Sequence, residues 1–460
     1  MSAFACSISS LEKAPAMLEP VSETMLKEEE AHPAPRHTPV FEVPDGPNIS
    51  DVYTFEAGQP FDHYDNLREQ APVAWIEFDD KYPDFKGYWA LTKYADIKEA
   101  EVLPQVFSSQ AGSIFLTTGF KRERETRLSR AAVNNLICLD RQAHTPLRMQ
   151  HRHFFTPDFT QRLRGKVEAH VDRLLDGMVE RGGTLDLVSN FSEHIPMFTL
   201  SEMLGVDEKD RPRLIRWMHY LELAQHYFAT RDRGGVSPIF MVKFLYNVRQ
   251  MFKYGERVLA DRRKNPRDDL LTCIAQAEIE DQPLSQAYLD GSWLLILFAG
   301  NDTARNSISG TMRLLSENPE QKQICLDDPS KIQNMAQEAL RLVSPVINMR
   351  RTLTQDYTVR GQKMAAGEKV VFYYGAANRD PEIFDDPTRF DILRPNADQH
   401  IAFGYGPHNC LGKRIAIMQL EVAYERLLAR FPDIRWTGKD SHAPNTLVSA
   451  ITSLEVNLGR

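Results

Sequence analysis

The sequence predicts a mainly α-helical fold with a small β portion, on three observations. Apolar residues recur at helical spacing over most of the stretch from Asp51 to Glu256. Residues 285–317 contain no proline and carry the same periodicity, the pattern of one long helix ending before Pro319. Strand-like runs are few and short: Tyr88–Leu91, Tyr357–Val359 and Val370–Tyr373.

At 460 residues the chain is longer than most single cores, which by length alone suggests two or three domains. A net charge of −8, with no basic stripe interleaved with aromatics, excludes a nucleic-acid partner. Cys6, Cys138, Cys273, Cys325 and Cys410 are odd in number, widely spaced and never form C-x-x-C, which fits a reducing cytoplasm better than a disulfide-stapled exterior. The start Met1–Cys6 has neither the basic residues nor the apolar run of a signal peptide, and no stretch approaches the roughly 20 apolar residues of a membrane anchor. The most apolar run, Trp293–Ala299, reads as buried helix.

Residues 1–48 carry Pro15, Pro20, Pro33, Pro35, Pro39, Pro44 and Pro47, so they read as an extended or partly disordered leader. Gly119–Arg130 is densely charged, the mark of a loop or a solvated short helix, and Arg231–Gly235 is a turn between two amphipathic helices. Inside the 285–317 helix, Ala299-Gly300-Asn301-Asp302-Thr303 sets a glycine, an acid and a hydroxyl among residues that predict burial. Glycine there costs about 0.5–1 kcal/mol against alanine, so a compensating role is expected. Lys331–Val343 is a further helix, stopped by Pro345. The strands 357–359 and 370–373 are joined through a turn region at Gly361 and Gly367, residues 376–406 are irregular, and the last helix, Leu411–Arg430, starts directly after Cys410.

The chemistry concentrates in Phe403-Gly404-Tyr405-Gly406-Pro407-His408-Asn409-Cys410-Leu411-Gly412. A thiolate at a helix start faces unsatisfied N–H groups and the positive end of the dipole, which lower its pKa. Glycines let the backbone approach a flat ligand closely. A lone cysteine is most often an inert buried thiol, and the other four keep that reading. This segment, however, resembles the haem-binding signature of the cytochrome P-450 superfamily, F-G-x-G-x-H-x-C-x-G, at all six fixed positions.

The resemblance, running from about Pro72 to the C-terminus, implies a single P-450 domain over residues 49–460, a triangular prism of helices around a buried haem. It implies that Cys410 is the axial ligand of haem b, with Phe403, Gly404, Gly412 and Ala299 against the ring. Glu338-Ala339-Leu340-Arg341 matches the family's E-x-x-R pair, completed by Arg394, with Arg389 as second choice. His144, Arg148, Arg351 and His408 are the candidates to hold the haem propionates. Asp302 and Thr303 match the acid and alcohol that deliver protons to bound O2; the plainer alternative is that Thr303 bonds back to a helical carbonyl while Asp302 faces a basic partner.

The substrate pocket would draw on Leu295, Phe298, Ala299, Val346, Ile347, Met349 and Val448, on the loop near Gly112–Phe120 and on the helices flanking Gly234-Gly235, with Asn348 able to orient one polar group. The implied activity is insertion of one oxygen atom from O2 into a C–H or C=C bond of a small hydrophobic substrate such as a terpenoid, alkyl chain or sterol. Electrons would come from NAD(P)H through a ferredoxin reductase and a ferredoxin, and the protein would be a monomer of the bacterial, unanchored type. A peroxide-driven peroxygenase and a non-enzymatic haem sensor are the alternatives; Asp302-Thr303 speaks against both.

Overall fold

A computed structural model describes residues 35–78, 86–111, 114, 126–229 and 237–459. Helices dominate. Those that build the site are α1 (Tyr94–Glu101), α2 (Arg141–His151), α3 (His194–Leu204), α4 (Arg211–Ala229), α5 (Pro238–Lys264), α6 (Gln286–Ala299), α7 (Asp302–Glu317), α8 (Ile332–Val343) and α9 (Lys413–Arg430). A mixed sheet at one side runs in the order β1 (Val73–Glu77), β2 (Gly87–Leu91), then Lys369–Tyr373, Asn348–Leu353 and β3 (Phe107–Ser108). Besides a short hairpin of Glu278–Ile279 with Gln282–Pro283, the other strands in chain order are β4 (Thr184–Asp186), β5 (Asn348–Leu353), β6 (Tyr357–Val359), β7 (Gln362–Met364), β8 (Lys369–Tyr373), β9 (Arg435–His442) and β10 (Ile451–Asn457). β8 is central, pairing parallel with β2 and antiparallel with β5.

Buried side chains of α3 to α9 form one large apolar core, with α6 and α7 crossing its middle. Trp293 is 1% exposed and its indole N–H donates to the Met251 carbonyl at 3.2 Å, tying α6 to α5. The two faces of the mixed sheet carry two smaller cores, one built on Trp89 and Phe372 and the other on Tyr88 and Tyr373.

Four expectations are corrected. The single helix over 285–317 is two helices, interrupted at Gly300 (φ −86°, ψ −12°) and Asn301 (φ −101°, ψ −63°), which stay in the right-handed region but with irregular angles. The weak helix propensity of glycine and the competing hydroxyl of Thr303 supply the cause. Next, the region joining 357–359 to 370–373 holds a further strand: Arg360 (φ +48°) and Gly361 (φ +81°) make a two-residue primed turn that folds β6 onto β7.

Third, the last helix begins at Lys413, with Gly412 as its cap, not directly after Cys410. Fourth, the β content exceeds the three runs read from sequence; β1 and the β9–β10 hairpin carry no clean alternation, and β9 is largely exposed. Of the charged segment, Gly119–Glu125 lies outside the described residues, while Arg127–Val133 is a helix capped by the Thr126 hydroxyl. The Arg231–Gly235 turn and residues 1–34 also lie outside. Residues 35–48 contain no helix or strand, yet the Arg36 N–H donates to Glu368 Oε1 (2.8 Å) and the Val40 N–H to Gln362 Oε1 (2.6 Å).

Candidate active site

Between the large helical core and the mixed sheet lies a cavity of about 1860 Å³ onto which Cys410 opens. The cysteine is held by its own loop. Its N–H donates to the Phe403 carbonyl (2.8 Å), and the Asn409 amide donates to the Gly404 carbonyl (2.8 Å), so the loop folds back on itself beneath the thiol. Gly406 has φ +64°, and a Cβ there would lie 2.7 Å from the Glu101 carbonyl oxygen, so only glycine fits between the loop and α1. The N–H groups of Gly412 and Lys413 and the charges of Arg148 and Lys413 favour a thiolate at Cys410, yet burial outweighs them and leaves the thiol above its ordinary value. The sequence expectation of a net lowering by the helix start is thus reversed in sign. A bound cation at the sulfur would restore the thiolate, since a coordinating thiol gives up its proton.

Facing the loop from the sheet side, four basic side chains converge. His144 from α2 is 1% exposed and stacks on His408 with ring centroids 4.2 Å apart. Burial, then the charges of Arg148 and Arg351, lowers the His144 pKa to about 4, and burial with Arg351 depresses His408 in the same way, so both rings are neutral N–H donors. The His144 ring has no hydrogen-bond partner among the described residues. Arg148 donates to the Asn409 carbonyl (2.6 Å), and Arg351, on β5, lies 4.0 Å from the Glu101 carboxylate.

Opposite Cys410 the wall is the break between α6 and α7. Ala299 and Gly300 face the cavity, and the Thr303 hydroxyl donates to the Ala299 carbonyl (3.0 Å). Asp302 accepts from the Asn301 amide (3.2 Å) and lies 3.8 Å from Arg305. Burial, reinforced by the neighbouring Glu222, holds its carboxyl well above the usual range. The geometry therefore contains both halves of the alternative read from sequence: a back-bonded hydroxyl and an acid beside a cation, set at the cavity wall.

These features fit a haem. Among the described residues no group of three or more His, Cys, Asp or Glu side chains converges on a metal position, so a lone thiol must share its metal with donors brought by the cofactor. The unpartnered His144 and the paired arginines offer donors and positive charge for two carboxylates that would be costly to bury alone. The volume also exceeds the 300–1,000 Å³ or so of an ordinary small-ligand site, which leaves room for a macrocycle and a second molecule.

A family model described as Cytochrome P-450 matches residues 119–445. The chain belongs to the cytochrome P-450 family. It is 34% identical over 420 residues to linalool 8-monooxygenase of Pseudomonas putida, spanning 89% of this chain and 97% of that protein. A methyl-branched lipid omega-hydroxylase of Mycobacterium tuberculosis is 32% identical over 398 residues, 85% and 89% of the two chains. A Mycobacterium marinum cytochrome P-450 solved with pseudoionone superposes with a TM-score of 0.81 at 29% identity, covering 92% of this chain and 99% of that one. The protein is accordingly a haem-iron monooxygenase that uses O2, and no described helix is long and apolar enough to cross a membrane.

In this P-450 the E-x-x-R pair sits behind the cysteine loop with both side chains fully buried. Arg341 makes a two-point contact with Glu338 (2.8 and 2.7 Å), Arg394 adds a third (3.0 Å), and Arg389 contributes only its carbonyl, which accepts from both guanidiniums. Phe403, Gly404, Gly412, Leu295, Phe298, Val346, Met349 and Val448 all line the cavity. Ile347 does not: it lies just before β5 and is buried in the core that holds Tyr373, outside the pocket the sequence reading assigned it. Asn348 is 1% exposed and donates to the Thr446 carbonyl (2.6 Å). Of the loop 112–120 only Ile114 is described, and it lines the cavity.

Sequence reading missed Leu200 and Met203 of α3, and it named α5 only as a helix flanking Gly234-Gly235, without singling out Phe244 and Val248, which also supply apolar wall. The i, i+4 spacing of the latter pair was a usable signal. It also missed Glu101. That acid is fully buried, accepts from the Tyr374 hydroxyl (2.7 Å) and the Tyr405 N–H, and is pushed by burial up to about 7 against the pull of Arg351. A single glutamate in an ordinary amphipathic helix gives no sequence sign of this.

Proposed function

We propose that this P-450 hydroxylates an unactivated carbon of a small terpenoid or branched alkyl substrate, taking electrons from NAD(P)H through a ferredoxin and its reductase. The observation that carries the reading is the facing of Cys410 and the Ala299–Thr303 break across one large cavity with apolar walls. When bound there, haem b supplies the O2-activating iron. Cys410 would be its thiolate ligand, Arg148 and Arg351 would neutralise its propionates, and His144 and His408 would donate N–H groups to them. Asp302 and Thr303 would hold and pass the protons that O–O cleavage consumes, while Leu295, Phe298, Val346 and Met349 exclude water and present the substrate carbon. The matches to a linalool monooxygenase and a methyl-branched lipid hydroxylase support a branched hydrocarbon over a small aromatic.

The test is spectroscopic first. Reduced protein under carbon monoxide should give a red-shifted thiolate-type Soret band that Cys410→Ala abolishes; a band unchanged by that substitution refutes the ligand assignment. Titration with linalool-like alcohols, branched fatty acids, sterols and small aromatics should shift the Soret band for the first classes. Product formed with NADH, reductase and ferredoxin should exceed that with hydrogen peroxide alone; the reverse result makes the enzyme a peroxygenase.

A further inference from the structure

We propose that Glu222, on α4, is the outer station of the proton path that reaches Asp302 and Thr303, so that the acid delivering protons is a two-carboxyl unit rather than Asp302 alone. This rests on the reading of Asp302 and Thr303 as the proton-handling pair. Three side chains from two helices meet here. Arg305 Nη1 lies 2.8 Å from Glu222 Oε1 and its Nη2 lies 3.8 Å from Asp302 Oδ1, so one guanidinium bridges both acids. Burial and the neighbouring Glu222 together hold the Asp302 carboxyl well above its ordinary range, so this acid keeps its proton beside Glu222. Carboxyls bond to one another only when one carries a proton, because two carboxylates offer acceptors and no donor. One guanidinium, two carboxyls and one shared proton sum to zero charge, the state that burial favours; Glu193 adds a further, more distant negative charge to Arg305.

The gradient of exposure gives the path a direction. Side-chain exposure rises from 8% at Arg305 and 12% at Asp302 to 21% at Glu222, which is the member nearest solvent. Thr303 follows Asp302 in the chain and faces the cavity, its hydroxyl hydrogen given to Ala299 and its oxygen left able to accept. Asp302 hands its proton inward at the Thr303 side, its emptied carboxylate takes the proton that Glu222 draws from water, and Glu222 is left a carboxylate again, so the unit returns to one shared proton. Arg305 keeps its charge throughout and holds the geometry. No redox change occurs in these steps.

The rival account is that Glu222 merely tethers α4 to α7 through Arg305. Glu222→Gln separates the two, because an amide carbonyl still accepts from Arg305 but cannot carry the proton. The holoenzyme variant, with Asp302→Asn and Thr303→Ala as comparators, should keep the thiolate-type carbon monoxide spectrum, the melting temperature and the substrate-induced Soret shift. It should lose product formed per NADH consumed on the order of 10-fold, with a larger solvent deuterium isotope effect, and Glu222→Asp should recover part of both. If Asp302→Asn and Thr303→Ala uncouple the enzyme while Glu222→Gln retains wild-type coupling and isotope effect, the relay role of Glu222 is refuted and the pair stands. If none of the three alters coupling, the pair and the proposal fall together.

Discussion

Glu101 shows how a single side chain sets a pH response. Its carboxyl rises from the ordinary 4.5 to about 7 in the folded protein because burial disfavours the charge. The folded state therefore holds this proton more tightly than the unfolded chain. The associated stability is complete below about 4.5, fades as pH climbs, and is gone above about 7, a swing on the order of 3 kcal/mol for a fully buried group. Melting curves between pH 5 and 8 should consequently flatten in Glu101→Gln, which keeps the shape but removes the titration; an unchanged slope would assign the pH dependence elsewhere. Cys410, Glu338, Arg341 and Thr303 were legible at this scale because residue type and spacing together define them. Glu101 and Glu222 were not, since their meaning comes from partners more than 80 residues away in the chain, Arg351 and Arg305.

Among the elements, the close approach of α6 to the helix Arg127–Val133 depends on Gly291. A Cβ there would stand 1.8 Å from the Asn134 carbonyl oxygen, a backbone atom that cannot swing aside. Gly291→Ala should cost roughly 1–3 kcal/mol in denaturant unfolding, even though alanine is the better helix former. A neutral result would mean the helices slide apart freely. Periodicity located the start of α6, and α8 and α9, to within a few residues, since their apolar stripes face one core. It ran straight through Gly300-Asn301, because the apolar pattern continues in phase on both sides of the break and only the backbone angles report it. The β9–β10 hairpin escaped for the opposite reason: its exposed residues carry no alternation to read.

For the molecule as a whole, the Glu338–Arg341–Arg394 cluster joins α8 to the irregular stretch that leads into the cysteine loop. Both guanidiniums also bind backbone carbonyls of that stretch, Arg341 at Pro387 (2.6 Å) and Arg394 at Asp385 (2.6 Å). Glu338→Gln leaves two buried cations sharing a neutral acceptor, so we expect about 3–5 kcal/mol of destabilisation and loss of haem during purification. Haem retention at wild-type levels would show that the carbonyl contacts suffice. Length alone argued for several domains, whereas one family model spans residues 119–445.

The contacts of Arg36 and Val40 carry a different message. Val40 donates to a side chain 322 residues further along, so on the ribosome its acceptor is made much later. At about 5–20 residues per second the segment waits roughly 16–64 s in water before it can dock. A stretch punctuated by Pro35, Pro39, Pro44 and Pro47 is suited to that wait, because each proline removes an amide hydrogen and breaks any run that could pair wrongly in the meantime.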